Sequence, residues 1–310
     1  MCRKHLLTLF AAALLAGAAA IPVAWSAPKS IERFIGPEPQ TFANASEAVE
    51  AFAAKMTAKD VPGLAQLIGL NPAEIAKTED FDNRLSNLQQ AAKERVGVEE
   101  AGADRRIILL GNLLWPFPFP LVKTDKGWQF DTAAGLEEVL ARRIGENELE
   151  AIDSCRNYIA AQQIYANDDR DDDNVLEFAQ RLMSTEGSHD GLYWPAVDDE
   201  ESPAGPFVVE AKLQQGVPPE QGYFGYRFRI LKGQGKNIAG GQYDYVINGN
   251  MIAGYALIAW PARYGETGIQ TFLVSHHGTV YQKDLGPDTA KLAEQITRFN
   301  PDESWDEVAD

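Results

Sequence analysis

Glycine-rich turns in the last third of the sequence constrain the fold more than any other feature. They separate short runs of alternating apolar and polar residues after residue 205, as at Gly233-Gln234-Gly235, Gly240-Gly241 and Asn248-Gly249. The runs that we predict to be strands are 207–212, 226–231, 255–260, 269–274 and 280–285. Connections this short cannot contain the crossover that joins parallel strands. The sequence therefore predicts an antiparallel meander.

The sequence before residue 205 has mainly helical spacing. Asn44 and Glu47 are placed as in a capping box, and apolar residues follow them at helical intervals. Further helices are predicted over 64–68, over the polar stretch 71–104, over 132–144 and from Asn147 onwards, with strands at 107–110 and 128–130. Gly145 is expected to end the helix that precedes it. Together with the meander, these elements predict an α+β fold.

We place a domain boundary near residue 146. Residues 27–43 contain several prolines and are predicted to be a linker, and residues 44–146 to form a small N-terminal α+β domain of helices and antiparallel strands. Residues 147–310 are predicted to form a C-terminal α+β domain in which a long helix precedes the meander. A helix capped at Asp288 and an acidic tail complete this second domain.

Residues 115–122 alternate proline with aromatic side chains, in the order Trp-Pro-Phe-Pro-Phe-Pro-Leu-Val. Because proline cannot donate to a sheet ladder, this segment is predicted to be an edge strand or an extended polyproline-like stretch. Its aromatic side chains could line a peptide-binding groove or cover the core of their own domain. Covering the core is the more common role, and we favour it here.

The N-terminus has the layout of a secretory signal peptide. A basic head that includes Arg3 precedes an apolar run over residues 6–20, and small residues lie at positions −3 and −1 before Ala27. The run is shorter than the roughly 20 apolar residues that a membrane-spanning helix needs. We therefore predict a signal peptide over residues 1–26, with an earlier cut after Ala20 as the alternative. The mature protein is expected to be periplasmic or secreted, without a membrane span.

Composition excludes some classes of function. The 310 residues include 28 Lys and Arg against 45 Asp and Glu, which gives a formal net charge of −17. A chain this acidic repels phosphate backbones, and no basic patch is visible in the sequence, so we expect no nucleic-acid partner. Once the signal peptide is removed, Cys155 is the single cysteine, and an internal disulfide is impossible. The fold must therefore depend on its hydrophobic core.

The most specific local signal is an acidic loop that runs Asp-Arg-Asp-Asp-Asp-Asn-Val-Leu-Glu-Phe-Ala-Gln from residue 169. Asp169, Asp171 and Asp173 occupy positions 1, 3 and 5, where carboxylates converge when a loop curls around a hard cation. The carbonyl of Val175 at position 7 and the carboxylate of Glu177 at position 9 would complete the ligands. We therefore predict calcium as a cofactor, in a loop with a helix on each side as in an EF-hand.

Two positions depart from the calcium-loop pattern. Asn174 stands where glycine is favoured, although asparagine tolerates the left-handed conformation. Gln180 stands where a glutamate would bind through both oxygens, and we expect this change to weaken affinity. The alternative is a solvated acidic loop without a ligand, in keeping with an acidic protein.

A second candidate site surrounds His189. His189 and Asp190 lie in a polar turn that is followed by Tyr193, and Tyr243 follows a glycine-rich turn in the C-terminal half. A hydrolase site would require the fold to bring these four residues together. Neighbours in an extended chain point apart, so His189 and Asp190 do not form a catalytic dyad by sequence alone.

No known catalytic motif accompanies these candidates. The sequence lacks a Gly-x-Ser-x-Gly elbow, a His-Glu-x-x-His helix and a Gly-x-Gly-x-x-Gly turn. His276 and His277 stand between two strands and could bind a metal, but exposed turn residues are the more common reading. We therefore expect a non-enzymatic envelope protein that binds an unidentified envelope protein or ligand. The alternative is a periplasmic hydrolase with its site around His189.

Several motifs taken together resemble one family. They are Trp115-Pro116-Phe117-Pro118-Phe119-Pro120-Leu121-Val122, Gly127-Trp128-Gln129-Phe130-Asp131, Arg142-Arg143-Ile144-Gly145-Glu146-Asn147-Glu148-Leu149, Asp190-Gly191-Leu192-Tyr193-Trp194-Pro195, Gly240-Gly241-Gln242-Tyr243-Asp244-Tyr245 and Val280-Tyr281-Gln282-Lys283-Asp284-Leu285-Gly286. This set is similar to the bacterial domain-of-unknown-function 2950 proteins over nearly the whole mature chain. The resemblance implies an exported protein with no established activity. It also implies glycines in the acidic loop, at positions where this chain has Asp172 and Asn174.

The helix-then-meander order of the second half is also weakly similar to the globular part of type IV pilins and pseudopilins. The sequence has no prepilin leader, and the long helix is predicted to be internal.

Overall fold

A computed structural model describes residues 29–78, 81–195, 201–205 and 222–309. The predicted signal peptide at 1–26 and the predicted strand at 207–212 lie outside these residues. Within them, helices and a small antiparallel sheet come first, a long helix follows, and an antiparallel meander comes last. The prediction of an α+β fold is therefore confirmed. No helix in the described ranges has both the length and the apolar character required to cross a membrane.

The N-terminal helices begin and end where the sequence supplies caps. They are α1 (Lys29–Glu32), α2 (Ala45–Ala58), α3 (Val61–Ile68), α4 (Pro72–Ile75) and α5 (Phe81–Glu94). The side chain of Asn44 accepts the N–H of Glu47 at 3.0 Å, which confirms Asn44 as the N-cap. The carboxylate of Glu47 accepts the side-chain amide of Asn44 at 2.8 Å, in place of the backbone N–H that a capping box uses. Gly69 ends α3 with a φ of 82°, in the left-handed region that favours glycine.

The first sheet is antiparallel and contains one strand that was not predicted. Its strands are β1 (Val96–Glu100), β2 (Arg105–Leu110), β3 (Trp115–Pro116), β4 (Leu121–Thr124) and β5 (Gly127–Phe130), in the order β1-β2-β4-β5 with β3 paired to β2. The prediction of helix throughout 71–104 is wrong at β1, where Val96 lies opposite Leu110. The β-branched Val96 and Val98 on either side of Gly97 favour a strand over a helix.

The proline–aromatic segment 115–122 covers the core of the N-terminal part. Phe117 and Phe119 are buried, and the ring of Phe117 lies 4.8 Å from that of Phe52 in α2. A Cβ added to Gly135, on the helix that follows this sheet, would lie 1.9 Å from the ring of Phe119. The segment therefore includes an edge strand, and its phenylalanines are core residues rather than the lining of a groove.

One long helix, α6 (Thr132–Tyr165), replaces the two helices that were predicted on either side of Gly145. A glycine inside a helix costs about 1 kcal/mol relative to alanine. Contacts on both sides offset this cost, since Ile144 is buried in the N-terminal core and Glu148 accepts the N–H of Ile269 at 2.8 Å. Tertiary contacts therefore stabilise a helix that continues across Gly145.

The buried apolar side chains of the described residues fall into two clusters. Along α6, the first cluster ends at Ile144 and the second begins at Ala151. The segment predicted to be a linker contributes the buried Ile31 to the first cluster, and Phe42 exchanges two backbone hydrogen bonds of 2.8 Å with Trp128. Residues 31–42 therefore pack against the N-terminal core.

The second sheet is the predicted antiparallel meander. The C-terminal elements are β6 (Tyr226–Leu231), β7 (Gly233–Gln234), β8 (Tyr243–Asp244), β9 (Val246–Ile247), β10 (Asn250–Met251), β11 (Ala256–Pro261), β12 (Gln270–Ser275), β13 (Val280–Asp284), α7 (Thr289–Gln295) and β14 (Asp306–Glu307). The large sheet has the order β14-β13-β12-β11-β6, and every neighbouring pair is antiparallel. Strands β9 and β10 form a hairpin, closed by Asn248 and Gly249 with φ of 54° and 102°. The acidic tail adds β14 to the edge of the large sheet.

Candidate metal centre

The acidic loop follows the C-terminal end of α6 and brings three carboxylates together. One oxygen from each of Asp169, Asp171 and Asp173 lies within 4.8 Å of the other two. Oxygens that share a calcium ion at about 2.3–2.6 Å from it are at most about 5 Å apart. The three aspartates therefore have the spacing of ligands around one cation.

Asp169 has one oxygen in use and one without a partner. Its Oδ2 accepts the N–H of Asn174 at 2.8 Å, whereas its Oδ1 is buried and has no hydrogen-bond partner. A buried acceptor that lacks a donor is unfavourable, and a bound cation would satisfy it. The surroundings of Asp169 therefore suit a cation.

The electrostatics of the loop also favour a cation. The pKa of the Asp171 carboxyl is raised, first by loss of solvation and next by the negative charge of Asp173, with Asp169 contributing in the same direction. Neighbouring carboxylates disfavour one another's ionised form, and a nearby positive charge reverses this effect. The loop thus holds its three aspartates in a state that a cation would stabilise.

Arg170 is the one basic residue of the acidic loop. Its guanidinium forms an ion pair with Asp168 at 2.8 Å and lies over the rings of Tyr165 and Trp194, 5.5 and 5.2 Å from their centroids. Arg170 therefore joins the loop to the aromatic side chains beside it.

Two residues of the loop adopt the left-handed conformation. The φ angles are 60° at Asp172 and 69° at Asn174. Asn174 thus adopts the conformation that asparagine tolerates. Glycine adopts it with no steric penalty, which is a physical reason for glycine at both positions in a calcium loop.

Helix α6 enters the loop, but no α-helix follows it within 166–195, so the prediction of a helix on each side is wrong on the C-terminal side. The buried amide of Gln162 in α6 supplies the reason. Its Nε2 donates to the carbonyl of Ala179 and its Oε1 accepts the N–H of Ala179, both at 2.8 Å. Both backbone groups of Ala179 are thus paired with a side chain instead of with a helix.

Val175 and Glu177, the other two predicted ligands, are placed differently from the aspartates. Glu177 is not one of the converging carboxylates, and its Oε2 accepts the N–H of Met251 in β10 at 2.8 Å. Val175 donates its N–H to Asp173 at 2.8 Å, and the other oxygen of Asp173 accepts the side-chain amide of Asn250 at 2.6 Å. The structure therefore uses Glu177 and Asp173 to attach the loop to the β9–β10 hairpin.

Sequence reasoning missed the residues that hold the loop from outside. These are Gln162 on α6 and Asn250 and Met251 on β10. Gln180, considered in the sequence only as a departure from the calcium-loop pattern, donates to the carbonyl of Gly249 at 2.6 Å and accepts from Lys232 at 2.9 Å. The Asn248-Gly249 turn indicated a hairpin, but nothing in the sequence indicated that this hairpin lies beside the acidic loop.

The second candidate site lies in a loop that satisfies its own polar groups. The carboxylate of Asp190 accepts the N–H and the hydroxyl of Thr185, at 2.7 and 2.8 Å, and the hydroxyl of Ser188 at 2.8 Å. The N–H of Thr185 is the main reason that the pKa of Asp190 is lowered. Asp190 therefore stabilises the turn around it.

The other predicted hydrolase residues have separate partners. The ring of His189 stacks on Trp194 with centroids 4.3 Å apart and an interplanar angle of 20°. Tyr193 is buried, and Tyr243 packs edge-on against Tyr245 with centroids 5.7 Å apart. These contacts do not join the three residues to one another or to the carboxylate of Asp190.

The tandem histidines differ in their surroundings. His277 is exposed, whereas His276 is half-buried with its ring centroid 5.7 Å from Tyr245 and 5.9 Å from Tyr255. Burial lowers the pKa of His276, and the charge of His277 lowers it further. The interpretation as exposed turn residues therefore holds for His277 and is wrong for His276.

The fold and the loop define an α+β protein with two cores along one long helix and an acidic loop held against a β-hairpin. A family model described as protein of unknown function (DUF2950) matches residues 39–308. The match covers most of the chain, so the chain belongs to this family, as the sequence motifs indicated. Comparisons with curated proteins and with solved structures found no match, so they lend no support to the likeness to pilins.

Proposed function

We propose that this chain is an exported protein of the cell envelope, that its acidic loop binds calcium, and that it acts as a binding or interaction module rather than as an enzyme. The observation that carries the calcium proposal is the convergence of Asp169, Asp171 and Asp173 beside the buried, unpartnered Oδ1 of Asp169. Export is supported by the basic head, apolar run and small residues within 1–26.

Calcium suits this loop better than magnesium. Magnesium requires a near-ideal octahedron and gives up its water reluctantly, whereas calcium accepts irregular sets of six to eight oxygens. Three carboxylates on a curved backbone, completed by water and a backbone carbonyl such as that of Val175, match the second description. Because Glu177 is engaged with Met251 and Gln180 carries no charge, we expect a weak site, with Kd of about 10⁻⁴–10⁻³ M as in extracellular modules.

The cation would stabilise the contact of three elements. The loop connects α6 to a segment that Gln162 holds, and Asp173 and Glu177 attach it to the β9–β10 hairpin. A ligand that binds only the folded state stabilises it by about 2.7 kcal/mol at 100 times its Kd. Calcium would thus fix the loop and the hairpin as a single surface for a partner.

The calcium proposal is tested by thermal unfolding of EDTA-treated protein during titration with calcium or magnesium. We expect calcium to raise the melting temperature at millimolar concentration, and magnesium to raise it much less. Asp171→Asn should abolish the shift, because it removes one of the converging charges. Asp172→Asn is the matched control, since it removes a neighbouring charge outside the three. No calcium shift in the wild type, or equal loss in both variants, would contradict the proposal.

The export proposal requires its own measurement. Fractionation of cells that express the full chain, followed by mass spectrometry of the purified protein, would give its compartment and its N-terminus. We expect a product in the envelope or the medium that begins near Ala27. A cytoplasmic product that still contains Arg3 would contradict export.

The binding role predicts a partner. The mature protein, used as bait in its own envelope fraction with calcium and with EDTA, should retain a specific protein or ligand. The wild type and Asp171→Asn form the matched pair of baits, because they differ by one exposed side chain. Turnover of ester or peptide substrates that His189→Ala abolishes would favour the hydrolase alternative instead.

A further inference from the structure

The β9–β10 hairpin turns one face to the core and the opposite face to solvent. Asn250 lies opposite Ile247, and Met251 lies opposite Val246. Side chains alternate between the two faces along a strand, and directly opposed residues share a face. Met251 is fully buried and Val246 packs against the second apolar cluster, so this pair faces the core. Ile247 and Asn250 therefore face outward.

Three aliphatic side chains are exposed on or beside this outward face. Ile247 is 45% exposed, and Ile252, which directly follows Met251, is 44% exposed. Leu176 of the acidic loop is 58% exposed and lies two residues before Phe178, whose N–H donates to the carbonyl of Met251 at 2.8 Å. Because this hydrogen bond places the loop beside the hairpin, the three side chains border one surface, which we call the hairpin face. Single exposed aliphatic residues are ordinary, whereas several on one surface are typical of a binding site.

Polar contacts beneath the hairpin face hold it in place. The carboxylate of Asp173 accepts the side-chain amide of Asn250 at 2.6 Å, and the carboxylate of Glu177 accepts the N–H of Met251 at 2.8 Å. The loop and the hairpin are thus fixed to each other before any partner binds. A surface that is already ordered lowers the entropic cost of association.

The charge beside the hairpin face is negative. Residues 168–177 include six acidic side chains, and Asp173 reaches the face itself through its contact with Asn250. Arg170 and Lys232 form polar contacts in the same region, but two positive charges do not balance six negative ones. An apolar surface with an acidic border is complementary to a partner that is both apolar and basic.

We propose that the hairpin face binds a basic, amphipathic segment of another polypeptide. Aliphatic side chains of that segment would cover Leu176, Ile247 and Ile252, and its lysines or arginines would lie against the acidic loop. The acidic border repels the phosphates of an anionic lipid surface, and it also repels a second copy of this chain, whose formal net charge is −17. This inference rests on the proposed interaction role and does not require calcium.

Fluorescence anisotropy of a labelled synthetic peptide, titrated with the mature protein in EDTA, tests the hairpin face. The peptide has about four helical turns, with leucine on one face and lysine on the other. A salt concentration of about 0.1 M screens charges more than about 10 Å apart, so the acidic remainder of the protein has little effect. We expect saturable one-to-one binding, and none of the matched peptide in which glutamate replaces every lysine.

Substitution of the exposed isoleucines locates the binding site. Ile247→Ser should weaken peptide binding about tenfold, because it removes apolar area from the contact, and Ile252→Ser should act in the same way outside the strands. Ile35→Ser is the matched control, since Ile35 is the same residue type, is 49% exposed and lies in the N-terminal part. We expect all three variants to keep the melting temperature of the wild type and Ile35→Ser to leave binding unchanged.

Three results would overturn the proposal. The first is absence of saturable peptide binding in the wild type, or equal weakening by Ile35→Ser and Ile247→Ser. The second is sedimentation with phosphatidylglycerol vesicles that Ile247→Ser reduces, without peptide binding, which would assign the hairpin face to lipid. The third is an envelope partner that the wild-type and Ile247→Ser baits retain equally, which would support the interaction role but place it elsewhere on the molecule.

Discussion

The acidic loop at 169–180 and the turn at 184–191 follow the same helix and differ in how their carboxylates are satisfied. Each is anchored to α6 by one side chain, Gln162 for the first and Tyr165, which donates to the carbonyl of His189 at 2.9 Å, for the second. In the turn, Asp190 accepts three hydrogen bonds from its own neighbours. In the acidic loop, Oδ1 of Asp169 is buried without a donor.

The difference is visible in the direction of the pKa shifts. Hydrogen bonds lower the pKa of Asp190, whereas loss of solvation and neighbouring aspartates raise the pKa of Asp171. The donors within its own turn satisfy the carboxylate of Asp190 without a ligand. In the acidic loop, Oδ1 of Asp169 has no donor and Asp171 faces the charges of two other aspartates, and these two features distinguish the loop as a candidate site.

The largest expected loss of stability comes from substitution of Gln162, the side chain that anchors the acidic loop to α6. Gln162→Leu would leave the buried N–H and carbonyl of Ala179 without partners, at about 1–3 kcal/mol for each group. We expect a loss of about 2–5 kcal/mol in the free energy of unfolding, measured by urea denaturation. The control is Tyr165→Phe in the neighbouring turn, which loses one hydrogen bond worth about 0.5–1.5 kcal/mol. Equal losses in the two variants would show that the anchors are equivalent.

Removing a carboxylate should have opposite effects in the two regions when calcium is absent. Asp190→Ala would lose three accepted hydrogen bonds in a partly exposed turn, and we expect a destabilisation of about 1–2 kcal/mol. Asp171→Asn would relieve repulsion from Asp173 and should leave the free energy of unfolding unchanged or slightly increased. Urea denaturation in EDTA measures both. Destabilisation by Asp171→Asn comparable to that by Asp190→Ala would contradict the comparison.

The same contrast predicts opposite pH dependences below neutrality. The folded-state pKa of Asp190 is lowered, so its contribution is present above the unfolded pKa of about 3.9 and is lost as the pH falls through the folded value. The pKa of Asp171 is raised, so in EDTA its ionisation removes stability as the pH rises from about 3.9 through the folded value.

Urea denaturation of the wild type, Asp190→Asn and Asp171→Asn across this range of acidic pH tests the direction of both pH dependences. The deficit of Asp190→Asn relative to the wild type should shrink as the pH falls. The advantage of Asp171→Asn should also shrink as the pH falls, because the wild-type carboxyl becomes neutral. A deficit of Asp171→Asn that grows with rising pH would mean that Asp171 has favourable partners without a cation.

The smallest expected changes in stability come from substitutions at two residues with positive φ, Asn174 and Gly187. Asn174→Gly removes the steric penalty at a φ of 69° and should stabilise the EDTA-treated protein by about 0.5 kcal/mol. Gly187→Ala in the turn, at a φ of 78° with open space around the added Cβ, should destabilise by about 1 kcal/mol. Paired melting curves measure the two changes. Destabilisation by Asn174→Gly would show that the asparagine side chain makes a contact that offsets the strain.

The meander could be predicted from the sequence because its signals are local. Of the predicted glycine-rich turns, Gly240-Gly241 and Asn248-Gly249 have positive φ in the structure, whereas Gly233 and Gln234 form the short strand β7. The calcium-loop spacing is also local, which is why the three aspartates could be named in advance. Features that depend on distant contacts were not predictable in this way.

Errors in the prediction arose where tertiary contacts outweigh local preference. Gly145 predicts a helix end, but packing of Ile144 and the hydrogen bond of Glu148 continue α6 through it. The segment after the acidic loop lacks a helix because Gln162 and the β9–β10 hairpin pair its backbone and side chains.

The most direct test of the central claim is calcium titration of the EDTA-treated, isotope-labelled protein, followed by backbone amide chemical shifts. We expect saturable shifts that are confined to residues 169–180 and to Asn250 and Met251, with the amides of 184–191 unchanged. The same titration of Asp171→Asn should show no such shifts. Absence of saturation at millimolar calcium, or shifts that centre on Asp190 or on the acidic tail, would contradict the assignment of calcium to this loop.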